Sequence, residues 1–224
     1  MDIHGKTVMT YRWVTFLLAG GYCLYRLLDS DYSNPGGPFR FLTIWALFFS
    51  FYAASRMLAL SEHRITRNHH RTAAVTAVLN IMVVFLYWRL FFIDPALVNG
   101  NGDIPWHQQY YLHLLGPALQ VFDALFIGRV FRKPLKAVPA LLSVIVLYVA
   151  WTELFVQRFN TVPSGNVTSG FPYPFLNNME WADRLSYYGV NIVVALGILM
   201  TLAALGWMLR PKKPMQPEPE PATQ

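Results

Sequence analysis

Six apolar stretches follow one another along the chain, near residues 11–28, 39–60, 73–93, 108–128, 135–157 and 185–209, with short polar connections between them. Each approaches the roughly 20 apolar residues that a helix needs to cross the hydrocarbon core of a bilayer. Runs of this length exceed the strands of a membrane barrel and lack their strict alternation. The pattern therefore predicts an all-α integral membrane bundle of six transmembrane helices, carried by residues 1–210. Residues 211–224 alternate Pro with polar side chains. Such a composition cannot build a packed core and predicts a disordered tail. The first stretch contains Arg12 and Arg26 and lacks a small-residue cleavage site, so it reads as a retained span rather than a signal peptide.

Composition supports the same reading. Hydrophobic residues make up 54% of the chain and charged residues only 13%, a balance too apolar for an ordinary soluble domain. The net charge of +6 does not call for a nucleic-acid partner, because the cations fall where topology signals fall. Twelve of the 18 Lys and Arg residues lie on one side of the predicted bundle, from Lys6 and Arg12 through Arg64, Arg67 and Arg71 to Arg129–Lys136 and Arg210–Lys213. The opposite loops hold only Arg158 and Arg184. Both termini are therefore expected in the cytoplasm. Cys23, the only cysteine, reads as a packing residue. Asn166-Val167-Thr168 forms a glycosylation acceptor pattern in the last outer loop.

The candidate chemistry lies in polar positions inside the apolar runs, where an ionisable or hydrogen-bonding group is functional or paired. Arg40, Thr43 and Ser50 stand at offsets −3, 0 and +7, and Gln109, His113 and Gln120 at −4, 0 and +7. Each set shares one face of a helix of 3.6 residues per turn. Both runs enter from the non-cytoplasmic side, and Thr43 and His113 lie at matching depth, roughly 6–8 Å in. A hydroxyl beside an imidazole is the minimum of a nucleophile and its base. An interhelical hydrogen bond without chemistry is the bland alternative. Pro117 removes the amide that would bond residue 113 and predicts a kink beside the histidine. Arg26 and Arg89 read as interfacial snorkelling cations. Asp123, ten residues past His113, is too deep for a triad and is expected to snorkel or to pair with Arg129 or Arg132. His63, His69 and His70 read as part of a cationic loop, so no metal and no organic cofactor is expected.

Three segments occur in order: FRFLT, containing Thr43; LHLLGPA, containing His113; and FPYPFLN before the last span. Together they resemble the androgen-induced and androgen-dependent family of multi-pass membrane proteins, in its fungal or bacterial branch. That resemblance implies a threonine hydrolase that cleaves fatty acid esters of hydroxy fatty acids, with Thr43 as nucleophile and His113 as base. Arg40, Gln109 and Gln120 are lesser candidates for substrate binding or oxyanion stabilisation. The implied partners are a lipid ester within the bilayer and the membrane lipids. The location is the endoplasmic reticulum or plasma membrane in a eukaryote, or the inner membrane in a bacterium. The competing reading is a non-catalytic multi-pass protein, either a lipid-binding scaffold or a small transporter.

Overall fold

The computed structural model describes residues 2–99, 104–161 and 169–210. The expected disordered tail and the Asn166 glycosylation pattern lie outside these residues. The described chain is helical, with no strand among the described residues. Its six long helices are α1 (Lys6–Asp29), α2 (Leu42–Ser61), α3 (His70–Ile93), α4 (Trp106–Ile127), α5 (Pro134–Gln157) and α6 (Trp181–Met208).

Helices α2 to α6 are long and apolar enough to cross a membrane. At 24 residues α1 matches them in length. It is less apolar because Arg12 and Arg26 interrupt it and because Gly, Thr and Tyr fill much of the rest. Arg12, expected among the loop cations, is instead 1% exposed inside the bundle.

Helix α3 is the hub. Its stretch from Ala73 to Val83 is buried almost all round, with Thr76, Ala77 and Val78 fully enclosed. A helix that is apolar on every face must be surrounded, and α2, α4, α5 and α6 all pack against it. Helix α1 lies on the far side of α2 and also touches α4. The outward faces of α5 and α6 leave Val146, Leu147, Val190 and Val193 more than half exposed. Such an apolar belt suits lipid contact and would be a liability in water.

Successive helices alternate in direction, so the C-terminal ends of α1, α3 and α5 meet the N-terminal ends of α2, α4 and α6. Hydrogen bonds close this end: Tyr22 to the His107 carbonyl, Trp88 to the His113 carbonyl, Tyr148 to the Arg40 carbonyl and Arg184 to Glu153. At the other end, Arg67, Arg71, Arg132, Lys133 and Lys136 gather around one cavity.

The start of α2 differs from the sequence expectation. Gly37–Arg40 forms a 3-10 turn, Phe41 is extended, and the helix begins at Leu42. Two glycines with positive φ, Gly36 at 80° and Gly37 at 46°, and the prolines on either side of them produce the break. Arg40 therefore precedes the helix and does not continue the face that carries Thr43.

Candidate active site

Thr43 sits in the first turn of α2 and His113 about two turns into α4. Their side chains meet, with Thr43 Oγ1 3.5 Å from His113 Nε2. The other ring nitrogen, Nδ1, lies 3.1 Å from the Gln109 carbonyl oxygen. A carbonyl only accepts, so Nδ1 carries the proton. That tautomer leaves the Nε2 lone pair facing the threonine hydroxyl.

The histidine is fixed on three sides. Its ring stacks on Tyr87 of α3, with centroids 3.4 Å apart and planes 6° apart. Its side chain is buried. Its carbonyl has lost the usual donor, because the residue four positions on is Pro117. The Trp88 indole N–H fills that place at 2.8 Å. Tyr111–Leu115 widens into a π-helical turn closed by the Gly116 N–H on the Tyr111 carbonyl. A π-turn inserted in a helix is a frequent mark of a functional position. The disturbance expected from Pro117 thus takes the form of a wide turn around His113 with an outside donor.

Thr43 and His113 line one cavity of about 120 Å³. Arg26, Gln108, Tyr87 and Tyr173 supply its polar rim, and Phe41, Leu42 and Leu112 its apolar wall. A second cavity of about 80 Å³ lies beside it between α2, α3, α5 and α6, sharing Leu42, Pro172 and Tyr173 as a common wall. Its lining is almost wholly apolar, from Leu79, Met82 and Leu86 to Val144 and Ile145. Burial raises the Tyr173 phenol well above its ordinary pKa, so its hydroxyl stays neutral.

The other sequence candidates take different positions. Gln109 holds His113 through its main-chain carbonyl. Gln120 lies seven residues deeper, where its amide donates to the Ser50 carbonyl at 3.3 Å. Ser50 also accepts from Asn80 of α3 at 2.8 Å, so the deeper polar layer joins three helices. The Arg40 guanidinium donates to the Gly170 carbonyl at 3.4 Å and stacks over Phe41. It is not among the residues lining the Thr43–His113 cavity. Asp123 pairs with Arg12 rather than with Arg129 or Arg132. Among the described residues no group of three metal-ligating side chains comes together.

Sequence reasoning missed Tyr87, Trp88 and Gln108. Tyr87 and Trp88 stand near the end of an apolar run with nothing in the sequence to single them out, and only the fold brings them onto the histidine. Arg26, taken for a snorkelling cation, belongs to the cavity.

The segment before α6 forms the roof. Gly170 takes φ +62°, and a Cβ there would come within 2.5 Å of Asn160 Nδ2 and Asn177 Oδ1. Asn177 ties the turn by accepting from the Phe171 N–H at 3.0 Å and donating to the Ser169 carbonyl. This fold of FPYPFLN buries Phe171 completely and brings Pro172 and Tyr173 over both cavities.

Comparison with curated proteins and with solved structures gives no match. The FAR-17a/AIG1-like protein family matches residues 7–206, from the first turn of α1 to the last turn of α6, and so takes in every residue of the site. The chain belongs to this family, which is the androgen-induced gene 1 family.

Proposed function

We propose that the protein is a membrane-embedded hydrolase of lipid esters, acting on fatty acid esters of hydroxy fatty acids through Thr43 and His113. The observation that carries the reading is the 3.5 Å approach of Thr43 Oγ1 to an imidazole nitrogen whose tautomer leaves it free to accept. The distance is at the long end for a hydrogen bond. Such contacts commonly shorten when substrate is bound.

In this mechanism Thr43 Oγ attacks the ester carbonyl carbon while Nε2 takes the hydroxyl proton. The imidazolium then gives that proton to the departing alkoxide as the C–O bond breaks. An acyl-threonine and a free hydroxy acid result. Water next enters, Nε2 removes its proton, and the hydroxide attacks the acyl-threonine. The fatty acid leaves and the proton returns to Thr43. Of the candidate oxyanion donors, Gln108 is the best placed. Its Oε1 accepts from Tyr25 at 3.4 Å, and its side chain lines the cavity. Its amide N–H groups can therefore serve the developing charge. The adjoining apolar cavity suits an acyl chain.

This reading includes six crossings, with α1 as the sixth, and both termini in the cytoplasm. The clustering of basic residues at the end opposite the site supports that orientation. A fluorophosphonate probe that labels nucleophiles tests the proposal. Labelling at Thr43 that is lost in Thr43→Ala and His113→Ala supports it. A folded protein without labelling and without ester turnover favours a lipid-binding scaffold or transporter instead.

A further inference from the structure

Among the described residues, Arg26 is the only charged one lining the Thr43–His113 cavity. It sits in the last turn of α1, and its side chain is 18% exposed. Among the described residues its one ionic contact is a long one, 3.5 Å from Nη1 to Asp29, and the Asp29 side chain is 53% exposed and well solvated. Its Nε is buried and has no hydrogen-bond partner among the described residues. A buried guanidinium N–H without an acceptor is unfavourable, and it is retained where something else supplies the acceptor. Ser30 and Gln108 do not do so: Ser30 donates to the Arg26 carbonyl, and the Gln108 oxygen is taken by Tyr25.

The rest of the cavity narrows the choice of acceptor. Among the described residues its wall is apolar apart from Thr43, His113, Gln108 and the two tyrosines. A ligand that fills it must be mostly hydrocarbon and carry one anionic group at the rim. The planar guanidinium fork fits a carboxylate with two parallel hydrogen bonds.

We propose that Arg26 is the specificity residue of this site and that it binds a free carboxylate carried by the substrate. An ester of a hydroxy fatty acid has such a group on its alcohol half, whereas an ester with its acid end capped does not. The inference rests on the hydrolase reading for its kinetic consequence, but its binding consequence stands without it.

Two measurements on the full-length protein in nanodiscs separate these. In the Thr43→Ala protein, which keeps the cavity and removes the nucleophile, melting temperature is followed with oleate and with methyl oleate. Oleate raises it more, and Arg26→Gln in the same background removes the difference. In the wild type, kcat/KM is compared for a fatty acid ester of a hydroxy fatty acid and for its methyl-capped form. The free acid is preferred by tenfold or more, equivalent to about 1.4 kcal/mol. The ratio falls toward one in Arg26→Gln and is intermediate in Arg26→Lys, which keeps the charge and loses the fork. If Arg26→Gln does not fold, Arg26→Lys is the decisive variant. A wild type that binds and cleaves both forms equally, or a ratio unmoved by either substitution, overturns the assignment. If no ester is cleaved but Arg26 still sets the oleate preference, the hydrolase reading fails and the carboxylate site stands.

Discussion

Arg12 of α1 and Asp123 of α4 form a two-point ion pair, with both the Nε and Nη2 contacts at 2.8 Å. The remaining guanidinium nitrogen donates to the Met57 carbonyl and to Ser61 Oγ of α2. One buried cation thus joins three helices at the basic end of the bundle. It explains how α1, the least apolar of the long helices, can pack within the bundle: its charge faces α2 and α4. Breaking a buried pair by removing one partner leaves the other charge uncompensated, at a cost of about 3–5 kcal/mol. Arg12→Met and Asp123→Leu should each lower the melting temperature sharply, and the double variant should recover part of the loss. A double variant as unstable as the sum of the singles would show that the two residues act independently.

Thr43→Ala and His113→Ala should each remove ester turnover while the protein keeps its melting temperature to within the effect of one membrane hydrogen bond, about 1–2 kcal/mol at most. A nucleophile and its base act as a unit, so the double variant should be scarcely worse than either single. Thr43→Ser keeps the hydroxyl and should retain part of the activity. Turnover and melting temperature measured on the same purified samples decide the matter, and full turnover in folded Thr43→Ala would end the nucleophile assignment.

Trp88→Phe keeps the aromatic ring and removes the N–H that serves the His113 carbonyl. One lost hydrogen bond is worth about 1 kcal/mol. Because His113 is held rather than contacted at its reacting nitrogen, the loss should fall on kcat, by roughly fivefold, with KM little changed. An unchanged kcat would mean that the π-turn and the Tyr87 stack hold the imidazole without the Trp88 N–H.

Gly170→Ala places a Cβ against Asn160 and Asn177 in a backbone region that L-residues avoid, a strain of about 1–3 kcal/mol. Phe171, Pro172 and Tyr173 hang from this turn. The variant should therefore raise KM and speed proteolysis between α5 and α6 before it lowers global stability. Limited proteolysis with substrate kinetics reads both effects.

Single cysteines introduced at Arg67 and Asp183 should label from opposite faces of a sealed membrane, with position 67 on the cytoplasmic side. The native Cys23 is buried and gives little background. Labelling of both positions from one side would refute the proposed topology.

Much of this arrangement is legible in the sequence, because the dominant energy is the burial of long apolar runs and their boundaries follow the polar connections. The meeting of Thr43 with His113 was within reach because equal depth and a shared face are one-dimensional properties. Contacts that depend on how helices pack sideways were not. Asp123 has basic neighbours in the loop that follows its helix, yet its partner lies 111 positions away on α1. Arg26 has the spacing of a snorkelling side chain, and only the packing of α1 beside α2 and α4 turns it inward. Arg40 was misplaced for a local reason, since the glycines and prolines before it end one segment and delay the next helix.

The two polar rungs between α2 and α4 share one spacing: Thr43 meets His113, Ser50 meets Gln120, and each helix advances seven residues from one rung to the next. Two such helices are rulers cut to the same scale and laid side by side. A residue inserted into one of them between the rungs would turn everything beyond it by about 100° and slide it by about 1.5 Å. One rung could then be kept only by losing the other. An insertion in either interval should therefore cost one of the two contacts, whereas one in the connecting loops should spare both, and the distance from the reacting pair to the deeper layer is a fixed dimension of the molecule.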